Sequence, residues 1–128
     1  MPIGIKWNYN GQEYRIQNGN KIIAKLLKDN KHIAVIEENK KINEAYIING
    51  YNIQEYNIRK LLDKKDLTIT SPYITENNII KLNKETLAFY NVYYEGMELY
   101  FFVFIENEYY RFSFDLETGE IGELIISR

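Results

Sequence analysis

The chain has 128 residues, of which 45% are hydrophobic and 27% charged, and its formal charge is −2 at pH 7. That profile fits a single globular domain, and the absence of cysteine excludes disulfides, zinc–thiolate sites and cysteine nucleophiles. One histidine, His32, excludes a site that needs two imidazoles from one chain, while 12 Tyr, 6 Phe and one Trp make the rings the most informative residues.

The first residues, Met1 to Trp7, lack the basic segment and long apolar run of a secretory signal, and no stretch approaches the ~18 apolar residues of a membrane span. No Asn is followed at the right spacing by Ser or Thr, so an N-glycosylation acceptor is missing too. A soluble, cytoplasmic, bacterial protein is the expectation.

Turn signals then recur at nearly even steps: Asn10-Gly11, Asn18-Gly19, Asp29-Asn30, Asn39-Lys40, Asn49-Gly50, Glu95-Gly96, Glu106-Asn107 and Thr118-Gly119. Spacing of roughly 8–12 residues between turns predicts an antiparallel meander. The intervening segments are rich in β-branched and aromatic residues: Ile3 to Tyr9, Tyr14 and Ile16, Ile22 to Leu27, Ile33 to Ile36, Ala45 to Ile48, and Tyr51 to Ile58. Ile58 to Asp66 has helical apolar spacing and predicts a helix of about two turns. Leu67 to Pro72 reads as extended, because Pro72 stops any helix there.

The C-terminal part predicts four strands, Leu87–Tyr94, Met97–Ile105, Glu108–Asp115 and Ile121–Ile126. The fold class expected is therefore mainly β: two antiparallel meanders forming a sandwich or partly open barrel, with one or two short helices. Residues 1–128 are read as one domain, with an N-terminal meander at 1–58, a short helix and connector at 59–85 and a four-stranded meander at 86–128. His32–Ile58 and Leu99–Leu124 correspond loosely, with Asn49 matching Asp115, and such units resemble the blades of β-propellers. Two of them are too few to close a propeller, so the resemblance implies a strand pattern only. Tyr110–Ile121 is likewise similar to the terminal hairpin of PepSY-type modules over a small fraction of the chain.

Little in the chain offers catalytic chemistry. Asp29 with Glu38-Asn39-Lys40 superficially resembles the carboxylates and lysine of metal-dependent nucleases, but Glu38-Asn39-Lys40 falls on a turn and reads as solvated surface. His32 has no nucleophile in a recognisable context and is expected as a surface or half-buried strand residue. Glu37 and Glu38 point to opposite faces of a strand, and no phosphate-cradling glycine motif occurs. No cofactor and no metal are expected.

The rings point elsewhere. On the strand Met97–Ile105, the residues Met97, Leu99, Phe101, Val103 and Ile105 share one face and Tyr100, Phe102 and Phe104 the other, so both faces are apolar. Glu108–Leu116 alternates cleanly, with Tyr110, Phe112 and Phe114 against Tyr109, Arg111, Ser113 and Asp115. In the preceding strand, period-2 alternation puts Phe89, Asn91 and Tyr93 opposite Ala88, Tyr90, Val92 and Tyr94. The second apolar face of Met97–Ile105 is expected to lie under the other meander or the helix, to form an oligomer interface, or to be a binding surface.

Charge separates the halves. Residues 1–66 carry twelve basic and eight acidic residues, net +4, while residues 67–128 carry four basic and ten acidic, net −6. The densest rings therefore lie in the acidic half, which argues against nucleic acid and for a basic protein partner. The reading is a non-enzymatic protein-binding module, an inhibitor or immunity-type protein that neutralises a basic partner such as a nuclease toxin. Its candidate contacts are Tyr93, Tyr94, Glu95, Glu98, Tyr100, Glu106, Glu108 and Tyr109. The alternative is a small-ligand-binding β protein with an aromatic-lined pocket. Homo-oligomerisation fits the composition, whereas membrane association does not.

Overall fold

In the computed structural model, residues 3–38, 43–70 and 79–127 are described. The chain opens with a hairpin of β1 (Ile5–Tyr9) and β2 (Gln12–Ile16). Its turn, Asn10-Gly11, takes positive φ at both residues, the geometry that joins two right-twisted strands. Ile5, Trp7 and Tyr9 alternate as half-buried residues with exposed Lys6 and Asn8. This hairpin does not join the strands that follow. They form a separate antiparallel sheet in chain order, β3 (Lys21–Leu26), β4 (His32–Glu38), β5 (Asn43–Asn49) and β6 (Gln54–Asn57).

A short helix, α1 (Ile58–Asp63), follows, with the Asn57 side chain accepting from Lys60 N–H as its cap. It is shorter than the expected Ile58–Asp66, and Lys84 Nζ donates to the carbonyls of Leu62, Asp63 and Lys65 just where it ends. Next come a small ladder, β7 (Thr68–Thr70) with β8 (Ile79–Lys81), and a single 3-10 turn at Lys84–Thr86. Pro72 lies outside the described residues.

The last sheet holds β9 (Ala88–Glu95), β10 (Glu98–Ile105) and β11 (Glu108–Asp115), with β12 (Glu120–Ile121) and β13 (Ile125–Ile126) both paired to β11. The expected strand Ile121–Ile126 is thus two short pieces, interrupted where Gly122 N–H donates to Ser113 O. The expected strand Tyr51–Ile58 is also shorter. Asn49 Oδ1 accepts from Tyr51 N–H and Ile53 N–H, which holds those residues in a turn until β6 begins. Asp115 does the same for Glu117 and Thr118, so the matched positions Asn49 and Asp115 both end a strand by an Asx turn.

The two larger sheets pack as a sandwich and are not closed into a barrel. Ala34, Ile36, Ala45 and Ile47 of one face Phe101, Val103, Ile105, Phe112 and Phe114 of the other, with Leu27, Ile58 and Leu62 in the same core. The opposite face of the first sheet carries Ile22, Ile33, Val35 and Ile48, and the hairpin covers it with Ile5, Trp7 and Ile16. A latch fixes that cover: Trp7 Nε1 donates to Gly50 O at 2.9 Å, and a Cβ at Gly50 would stand 2.4 Å from the Tyr9 ring. The chain therefore stacks as three layers, with β4 in the middle. No helix among the described residues is long and apolar enough to cross a membrane.

Candidate functional site

The outward face of the last sheet is where the sequence reading concentrated its candidates. Its strand β9 departs from simple alternation. Phe102 pairs with Asn91 and Val103 with Phe89, which leaves Tyr90 as the extra residue of a β-bulge. Asn91 Oδ1 accepts from Val92 N–H beside it. The bulge shifts every later residue to the other face, so the expected grouping of Ala88, Tyr90, Val92 and Tyr94 is corrected. Phe89 and Val92 are buried in the core and Tyr94 packs against it, whereas Tyr90 and Tyr93 both turn outward. No glycine or proline announces the bulge, and this is why the sequence pattern missed it.

The outward surface is built from rings. Phe102 is only 2% exposed although no other layer of the described residues lies over it. Tyr93 stacks on it at 4.2 Å between centroids, Tyr90 meets it edge-on at 6.0 Å, and Tyr100 tilts against it at 6.5 Å. Tyr90 and Tyr93 remain 37% and 39% exposed, and Tyr109 is 50% exposed. Tyr suits this position, since the ring covers Phe102 while the hydroxyl stays in water. The second face of β10 is thus screened by its own sheet rather than by the other meander or the helix.

Charge is arranged around these rings in two places. At one end, Arg111 lies over Tyr100, with its guanidinium carbon 5.5 Å from the ring centroid and Nε 3.5 Å from Glu95 Oε2. Tyr100 donates its hydroxyl to Glu98 Oε2 at 2.8 Å, and that hydrogen bond to a carboxylate holds the phenol above its ordinary pKa. At the other end, Tyr109 meets Tyr90 edge-on at 5.2 Å and Phe104 at 4.9 Å. The turn residue Glu106 and the strand residue Glu108 adjoin this cluster in sequence, and Glu108 Oε1 accepts from Tyr109 N–H.

Of the eight candidate contacts, Tyr93, Glu95, Glu98 and Tyr100 meet at the first end and Tyr109 lies at the second beside the turn residue Glu106, while Glu108 is in phase with Tyr110 on the inner side of β11. Tyr94 stands apart on the inner face, where its hydroxyl accepts from Lys28 N–H and Lys28 Nζ sits 4.5 Å from its ring. Lys28 Nζ also donates to Gly96 O at 2.6 Å, bracing the β9–β10 turn that carries Met97, 83% exposed. The face also includes Tyr90, Phe102, Phe104 and Arg111, which the candidate set omitted. Phe102 and Phe104 were legible from the alternation of β10; Tyr90 needed the bulge.

The other features singled out in the sequence lie elsewhere. Asp29 precedes the start of β4 and Glu38 ends it, about 20 Å along an extended strand, so they do not converge on one ion. Lys40 lies outside the described residues. Asp29 is engaged locally, its Oδ2 at 2.5 Å from His32 Nδ1 and its Oδ1 accepting from Lys31 and His32 N–H. On its other side His32 Nε2 is 3.0 Å from Glu55 Oε1. Glu37 accepts from the Tyr46 hydroxyl and from Asn20, and is also bound by Asn18. A groove of about 430 Å³ at the end of the sandwich has Leu27, Leu99, Phe114 and Ile121 on its walls with Glu98 and Asp115, and is open rather than an enclosed aromatic pocket.

No protein-family model matches the chain, and no curated protein matches it in sequence. Among solved structures, a chain in the complex of Tne2 with Tni2 is similar in fold, with a TM-score of 0.69 at 13% identity over 98% of this chain and 78% of that one. At that identity the likeness is one of fold, and the fold is one found within a complex of two proteins.

Proposed function

We propose that the protein is a non-enzymatic binding module of the inhibitor or immunity type, which neutralises a basic partner, such as a nuclease toxin, through the outward face of β9, β10 and β11. The observation that carries this reading is the aromatic screen itself. Phe102 is screened by the rings of Tyr90, Tyr93 and Tyr100, and Tyr90 and Tyr93 in turn face solvent on the side of the sheet that carries Glu95 and Glu98. Large, rigid, amphipathic rings give contact area at low entropic cost, and surrounding carboxylates accelerate encounter with a positive surface. The fold's occurrence in the complex of Tne2 with Tni2 supports a role in protein pairing. Tyr94 contributes from the inner face by positioning the β9–β10 turn through Lys28, while Tyr93, Tyr100 and Tyr109 make contact.

The experiment is quantitative affinity purification from the native cell, comparing the wild-type chain with a Tyr93→Ala, Tyr100→Ala, Tyr109→Ala triple variant whose fold is checked by circular dichroism. A basic protein retained by the wild type and lost by the variant is expected. Equal retention by a folded variant overturns the assignment of this face.

A further inference from the structure

The outward face contains two ring clusters, and one of them already holds a cation. Arg111 lies over Tyr100 and pairs with Glu95, with Glu98 fixing the Tyr100 hydroxyl. Elsewhere in the fold the chain uses the same contact twice, Lys28 over Tyr94 at 4.5 Å and Arg59 over Phe89 at 5.1 Å. The second outward cluster, Tyr90, Phe104 and Tyr109, has no described cation over any of its rings. Along β11 Tyr109 and Arg111 are neighbours on one face, yet Arg111 is drawn away toward Tyr100 and Glu95. Tyr109 is left half exposed beside Phe104 and Tyr90, next to the β10–β11 turn that carries Glu106.

We infer that the Tyr90–Phe104–Tyr109 cluster is the seat for an arginine side chain of the partner, which stacks on the Tyr109 ring as Arg111 stacks on Tyr100. This rests on the binding face proposed above and adds the chemistry of the group it takes. A guanidinium fits better than an ammonium, because its plane lies flat on a ring and it sheds water more easily. Glu106 in the adjoining turn and Glu108 next to Tyr109 in the chain favour a cation over a neutral side chain of equal shape. Arg111 in turn keeps the Tyr100 end closed to a second cation, which sets the register in which a partner docks.

The test uses the full chain and two probe tripeptides, Gly-Arg-Gly and its neutral counterpart Gly-citrulline-Gly, followed by NMR of the aromatic side chains. With the arginine peptide, ring resonances of Tyr109, Phe104 and Tyr90 are expected to shift, with little change at Tyr100. The citrulline peptide leaves them in place. Tyr109→Leu weakens the arginine peptide about 2- to 5-fold, whereas Tyr109→Phe, which keeps the ring, retains its affinity. Equal shifts with citrulline, shifts centred on Tyr100 and Arg111, or an affinity unchanged in Tyr109→Leu would each overturn the inference. So would a loss in Tyr109→Phe as large as in Tyr109→Leu. Failure here with partner retention still abolished by the triple alanine variant removes the arginine seat alone; retention by that variant removes the whole face.

Discussion

Strands β4 and β10 look alike in sequence, each a run of consecutive apolar residues, yet they solve the problem of a two-faced apolar strand differently. Ile33 to Ile36 of β4 are buried because a layer of the protein lies on each side, the sheet of β9, β10 and β11 on one and the hairpin on the other. In β10 only Leu99, Phe101, Val103 and Ile105 meet another layer, and Phe102 is covered by rings of its own sheet. Burial of a residue therefore does not by itself identify a core. What covers it decides whether the surface is finished or remains available to a partner.

Phe101 and Phe102 put this contrast to the strongest test, since they are adjacent, identical in type and both almost fully buried. Phe101 stacks with Phe112 and meets Phe89 and Phe114 inside the closed core. Phe101→Ala is expected to cost about 3–5 kcal/mol in urea unfolding, because its neighbours cannot collapse into the space. Unlatching the hairpin comes next: Gly50→Ala drives a methyl group into the Tyr9 ring, and a cost of about 1–3 kcal/mol with altered Trp7 fluorescence is expected. Phe102→Ala should cost only about 1–2 kcal/mol, since the solvent-facing rings of Tyr90 and Tyr93 can settle inward. If Phe101→Ala and Phe102→Ala destabilise equally, the outer face is as tightly packed as the core and the contrast fails.

The smallest expected effect concerns the entrance to β4. Burial lowers the affinity of His32 for a proton, but its hydrogen bonds and ion pairs with Asp29 and Glu55 outweigh this and raise its pKa above the ordinary value. Its folded pKa therefore exceeds its unfolded one, so its contribution is fully present below about pH 6.5 and is lost as pH rises through the folded value. A urea midpoint that falls slightly between pH 6 and pH 8.5 is expected for the wild type. The fall should be smaller in His32→Gln; an identical pH dependence would assign the effect to other groups.

Much of the architecture was legible locally. The turn at Asn10-Gly11, the Asx turns at Asn49 and Asp115 and the alternation of β11 follow from short-range backbone and side-chain preferences, and each stands where the sequence places it. The candidate face was legible in part, because Tyr100, Phe102 and Phe104 share a side of β10 by period alone. The Tyr90 bulge and the inward turn of Tyr94 were hidden, because a one-residue slip in pairing depends on the partner strand and on contacts such as Lys28 with Tyr94. Glu55 could not be tied to His32 either, since β5 and the turn after it separate them in sequence.

By itself the sequence determined a β-rich, cysteine-free chain whose −2 is the sum of a basic half and an acidic, ring-rich half. Composition and turn chemistry act over a few residues and so survive without knowledge of the fold. Only the tertiary structure decided which apolar face is closed: hydrophobic runs carry no label for what will cover them, and that is settled when the hairpin latches over β4 while the outer side of β10 is screened by tyrosines of its own sheet.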